Sequence, residues 1–148
     1  RESRRRDTVI LRCNFEELLA LTAGGRSLLE GEAEAHSSVL APAESRARVE
    51  ALLPRLVGDL SVPSLAEARG VCKAVDAIVD HLRAEMETVV VATHAADEMA
   101  VAAYFDFAHA LSVSHRFHEM LTEMEALVEL VTGERADAET ARTFRFPD

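Results

Sequence analysis

Between Ala68 and Val89 the apolar side chains recur at alternating steps of four and three residues: Ala68, Cys72, Val75, Val79, Leu82, Met86 and Val89. That spacing places side chains on one face only in an α-helix. Asp76, Asp80 and Glu87 fall on the other side of the same wheel. Ser64, after Pro63 and three residues before Glu67, supplies a capping box for the start. A helix of about seven turns with such a stripe cannot bury it alone. The chain carries a matching stripe downstream. After a reset near Thr93, which can serve as an N-cap, Met99, Ala103, Asp106, Ala110, Val113, Phe117, Met120, Met124, Leu127 and Val131 keep the same rhythm until Thr132-Gly133, the expected end. A turn near His94 folds the two segments together. The predicted fold class is therefore mainly α, a helical bundle built on a long antiparallel helical hairpin.

Shorter elements precede the hairpin. Val9, Leu11 and Cys13 alternate with Ile10 and Arg12 in a strand-like run from Thr8 to Cys13. Asn14, with Glu17 three residues on, caps a helix whose face is marked by Phe15, Leu18, Leu19 and Thr22. Gly24-Gly25 is expected to weaken or end that helix, since each glycine costs about 1 kcal/mol relative to alanine in a helix. Residues 30–41 are small, polar and acidic, a loop composition. Pro42 suits the first turn of another helix with Val49, Leu52, Leu53 and Leu56 on its face; Pro54 should kink or divide it and Gly58 end it. The tail alternates again at Thr143-Phe144-Arg145-Phe146, which predicts a two-stranded ribbon pairing the N- and C-terminal segments and packed on the helices. Residues 1–7, with Arg1, Arg4, Arg5 and Arg6, read as a basic disordered tail, and residues 8–148 as a single helical domain.

Acids outnumber bases by 26 to 16, for a net charge of −10. Such a surface repels nucleic acid and anionic lipid, so neither nucleic acid nor membrane is an expected partner. The most apolar run, Met99 to Leu111, is too short to span a bilayer and contains Asp106 and His109. Cys13 and Cys72 belong to no CxxC or zinc-finger spacing and read as reduced, buried thiols of a cytoplasmic protein. The glycine pair lacks the pattern of a phosphate loop, and no GxSxG is present. His118-Glu119 misses HExxH at its last residue, and a di-iron bundle needs more inward carboxylates than Asp106-x-x-His109 offers. No cofactor is expected, and catalysis ranks behind binding.

Two features remain. Around Met99 to Leu111 the helix loses its polar face, because Val101, Tyr104, Phe105, Phe107 and Leu111 point where charges stand elsewhere. Either several helices or a second subunit should surround it. Within it, Asp106 sits on the seam with His109 one turn on, and the structural expectation is an ion pair with Arg83. The sharper expectation makes Asp106 and His109 metal ligands or an acid/base pair. His94 with Asp97 and Glu98 forms another cluster, though acids at a helix start already complement the dipole. His115, His118 and Glu119 project onto the solvated face. The expected function is that of a non-enzymatic helical interaction or structural protein, a homodimer or the binder of a protein partner. The alternative is a small-molecule or metal-binding helical bundle with its site near Asp106 and His109, drawing on Tyr104 and His94.

Overall fold

The computed structural model describes residues 9–30, 43–93 and 98–143. In chain order these form β1 (Val9–Leu11), α1 (Phe15–Glu30), α2 (Ala43–Leu52), a 3₁₀ turn (Leu53–Arg55), β2 (Leu60–Val62), α3 (Leu65–Thr93) and α4 (Glu98–Thr143). The long helices α3 and α4 make the hairpin, and α1 and α2 cover one stretch of it. No described helix is long and apolar enough to cross a membrane.

The seam of α3 is buried from Ala68 through Cys72, Val75, Val79 and Leu82, while its last two members, Met86 and Val89, are half-buried. The seam of α4 is buried only through its middle, at Ala110, Val113 and Phe117, while Asp106, Leu127 and Val131 are exposed. At Asp106, near the hairpin turn, the cover of α1 and α2 gives out; at Leu127 and Val131 the reason is length. At 1.5 Å per residue, the 46 residues of α4 run about 69 Å and the 29 of α3 about 44 Å, so α4 outlasts its partner. Gly133 does not end α4, which continues to Thr143; the one glycine penalty is outweighed by the alanines, glutamates and arginines that follow. Thr93 is the last residue of α3 rather than the cap of α4, which opens at Glu98. His94 and Asp97 lie outside the described residues.

Asn14 and Glu17 close the predicted capping box: the Glu17 N–H donates to Asn14 Oδ1 at 2.8 Å and the Asn14 N–H to Glu17 Oε1 at 3.0 Å. The buried face of α1 is not the one marked by Phe15 and Leu19, which are exposed. It is Glu17, Ala20, Leu21, Gly24, Gly25 and Leu28. The glycines are the reason. A Cβ on Gly24 would lie 2.8 Å from Ile78 and 2.9 Å from Leu82, and one on Gly25 2.7 Å from Leu53, so Gly24 lets α1 approach α3 closely and Gly25 lets it approach the 3₁₀ turn, and neither ends the helix. Arg46 of α2 closes the far end, donating to the carbonyls of Leu28 and Leu29.

Gly24→Ala gains about 1 kcal/mol of helix propensity but overpacks a filled contact at a cost of about 1–3 kcal/mol, so a net loss is expected. Gly70, whose Cβ would meet nothing within 4 Å, is the matched control: Gly70→Ala is expected to raise stability by about 1 kcal/mol. Urea unfolding of both variants checks the pair, and equal effects would contradict the close approach.

Pro54 divides α2 from the turn that follows, as its chemistry dictates. Among the described residues a two-stranded ribbon forms between β1 and β2, and the expected pairing of the N-terminal strand with the C-terminal tail at Phe144-Arg145-Phe146 falls outside them. β1 pairs antiparallel with β2 in the register Val9 to Val62, Ile10 to Ser61 and Leu11 to Leu60. Leu11, Leu60 and Val62 face the helices and Ile10 faces solvent. Residues 144–148 lie outside the described residues. Leu60-Ser61-Val62 offered only three residues of alternation next to Pro63, too few to read as a strand in isolation.

Candidate functional site

Among the described residues, three places bring together side chains that the core does not consume. The first is the tip of the hairpin. Val101, Tyr104 and Phe105 are 49%, 54% and 54% exposed, and Met99 and Val91 are exposed beside them. The rings of Tyr104 and Phe105 meet edge to face, centroids 5.7 Å apart, and Phe105 lies 6.5 Å from the His109 ring. Phe107 and Leu111 turn the other way, half-buried against the core. Among the described residues, nothing covers the segment on all sides. A further run of exposed apolar residues, Leu127, Val128, Leu130 and Val131, occupies the overhang of α4 past the Arg69–Glu125 ion pair that joins the start of α3 to α4.

Asp106 stands in this tip, exposed rather than held in the seam, with His109 half-buried one turn on. The expected ion pair with Arg83 is not formed. Arg83 bonds Asp80 at 3.2 Å and lays its guanidinium 5.3 Å from the centre of the Phe107 ring. Partial burial pushes the Asp106 carboxyl above its ordinary range, His109 opposes that and Glu85 adds to it.

The second place lies between α1 and α3. Ser27 Oγ donates to Glu85 Oε2 at 2.7 Å and sits 2.9 Å from His81 Nε2. Because the single hydroxyl proton goes to the carboxylate, His81 Nε2–H must donate to Oγ. The imidazole therefore takes no proton from this serine, and the trio clamps two helices instead of making a nucleophile. The Glu85 carboxyl is held low, chiefly by His81, whose Nε2–H is shared between Ser27 Oγ and Glu85 Oε1, the latter at 3.4 Å.

The third place lies on the other flank of the hairpin, where α3 and α4 face one another. Cys72 and Asp76 stand four residues apart on α3, so one turn stacks them on a single face. His118 of α4 closes the group: Nε2 is 2.9 Å from Asp76 Oδ2, 3.1 Å from Oδ1 and 3.5 Å from Cys72 Sγ. Ser114, one turn before His118, donates to Asp76 Oδ1 at 2.8 Å. His115, His118 and Glu119 are exposed as their projection predicts, yet His118 reaches across the seam edge. Asp76 is likewise half-buried, not on the far side. Among the described residues, this is the group of three whose ligand atoms converge, whereas Asp106 and His109 gather no such third partner.

The thiol there is held in its protonated form rather than activated. Burial first, then Asp76 and Glu125, push Cys72 up to about 11, whereas reactive cysteines are held low by nearby positive charge. Its sulfur also lies nearly equidistant from both ring nitrogens of His118, 3.5 and 3.7 Å, so neither lone pair is aimed at it.

The chain matches no family model, no curated protein and no solved structure. Its function is therefore argued from these three places.

Proposed function

We propose that the protein is a non-enzymatic helical interaction protein that forms a homodimer through the tip of its hairpin. The observation that carries this reading is the exposed pair Tyr104 and Phe105 on a helix whose opposite side is already packed. Aromatic rings bury about 150–250 Å² each, so leaving two of them half in water is costly unless something covers them. A specific interface removes about 800 Å² per partner, more than two rings supply, so Val91, Met99 and Val101 join the contact. A second copy of the chain is the economical cover, because in a two-fold dimer one patch serves both partners.

Phe105, not Phe107 or Leu111, is the informative position, since the latter two also pack into the core and their substitution confounds assembly with folding. Sedimentation equilibrium is expected to give a dimer for the wild type and a monomer for Phe105→Glu, with unchanged far-UV circular dichroism. Leu130→Glu, on the overhang, is expected to remain dimeric. A monomeric wild type at every concentration, or a dimer lost with Leu130→Glu and kept with Phe105→Glu, would refute the tip as the interface.

A further inference from the structure

We propose that Cys72, Asp76 and His118 bind a single divalent cation of the zinc class, on a flank of the hairpin distinct from the apolar tip. The donor set is the first argument. One thiolate, one imidazole and one carboxylate suit a borderline-soft ion, and hard cations such as magnesium or calcium take oxygen ligands instead.

Geometry is the second. With metal–sulfur near 2.3 Å and metal–nitrogen or metal–oxygen near 2.0–2.1 Å, a tetrahedral centre separates sulfur from nitrogen by about 3.5 Å, sulfur from oxygen by about 3.6 Å and nitrogen from oxygen by about 3.3 Å. The corresponding distances are 3.5 Å for Cys72 Sγ to His118 Nε2, 4.0 Å for Sγ to Asp76 Oδ2 and 2.9 Å for Nε2 to Oδ2. Shifts of a few tenths of an ångström, mostly a pivot of the Asp76 carboxylate, convert the hydrogen-bonded trio into a ligand set. The cation takes the place of the Nε2 proton now shared with Asp76, and of the Cys72 thiol proton. The thiol proton leaves to solvent as the metal–sulfur bond forms, and the ring proton moves by way of solvent from Nε2 to Nδ1, so that His118 binds as a neutral imidazole.

The surroundings are the third. Burial, then Asp76 and Glu125, disfavour a bare thiolate at Cys72, and the negative charge of the two carboxylates favours a divalent cation beside it. Ser114 holds Asp76 from behind, as outer hydrogen bonds do for metal-ligating carboxylates. Cys72 is buried, but His118 and Asp76 are 53% and 38% exposed. The fourth position therefore faces water, which makes an open three-ligand site and not a closed four-ligand structural one.

Cobalt(II) tests the proposal, because it reports sulfur ligation directly. The full chain without a histidine tag, stripped by a chelator, is titrated with cobalt(II) and then zinc(II). One cobalt per chain with a thiolate-to-metal charge-transfer band, displaced by one zinc, is expected, together with a rise in Tm on adding zinc. Cys72→Ser should abolish the band, and Asp76→Asn and His118→Gln should weaken binding. Ser114→Ala should weaken it by about 10- to 100-fold. His118→Gln changes an exposed side chain, so it keeps the test valid if Cys72→Ser proves unstable. His115→Gln, at an exposed neighbour, should change nothing. Absence of binding, cobalt bound without the charge-transfer band, or equal affinity in His118→Gln would each overturn the proposal.

Discussion

Replacing Phe117 by alanine is expected to cost about 3–5 kcal/mol, the range for deleting a fully buried aromatic side chain. Phe117 is the largest of the side chains that are completely enclosed, and it sits in the middle of α4 within the core it shares with α3 and the shorter elements. Its neighbours along the α4 seam are Val113 and Ala110, both fully buried and too small to fill the space it leaves. A domain typically has about 5–15 kcal/mol of total stability, so the variant should lose a large part of it. Chemical denaturation is the check, with Phe117→Leu as a partial rescue because it restores most of the volume. A cost near 1 kcal/mol for Phe117→Ala would mean that the hairpin is not closed around this ring.

The second large effect concerns a polar lock. Arg116 of α4 makes two bonds of 2.7 Å to the two carboxylate oxygens of Glu17, and it also donates to the Arg12 carbonyl at 2.8 Å. Glu17 is at once the capping residue of α1 and nearly inaccessible, whereas Arg116 is 37% exposed. One fork thus ties the strand–helix junction to the hairpin. Breaking a fully buried pair costs about 3–5 kcal/mol, and the partial exposure of Arg116 brings the expected cost of Glu17→Gln down to about 2–3 kcal/mol.

The same pair sets a pH dependence. The bond from Arg116 holds the Glu17 carboxyl below its ordinary 4.5. A carboxyl whose value is lower in the folded state contributes stability above the unfolded value and loses it as pH falls through the folded one. The difference between wild type and Glu17→Gln should therefore be full above pH 4.5 and shrink as the pH drops further. A difference that stays constant down to acid denaturation would contradict the ion pair.

How far such features are legible in the chain depends on their range. The hairpin was legible because its information is local and repeated: each apolar step from Ala68 to Leu82 restates the same face. So was the capping box at Asn14 and Glu17, which is a short-range exchange of hydrogen bonds. The contacts that the pattern missed are long-range. Arg116 and Glu17 are 99 residues apart, and nothing near either one announces the other. The glycine pair was misread for the same reason, since a glycine that ends a helix and one that lets a second helix approach look alike until the second helix is placed. Projection put His118 with the solvated residues, and it is indeed exposed. A helical wheel does not show that a long side chain at the seam edge can reach Asp76 and Cys72 on the neighbouring helix. Asp106 was placed in a buried seam because the pattern continues through it, but the cover supplied by α1 and α2 does not extend to the tip.

That tip carries the central claim, and the chain contains its own probe for it. Tyr104 is the single tyrosine, and there is no tryptophan, so tyrosine fluorescence reports on this one position. Quenching of that emission by acrylamide, measured across protein concentration alongside light scattering, tests the interface directly. Self-association through the tip predicts that the quenching constant falls as the mass rises from one chain to two, and that Phe105→Glu keeps the high constant throughout. A wild-type Tyr104 that stays as quenchable at the highest concentration as at the lowest would contradict the account.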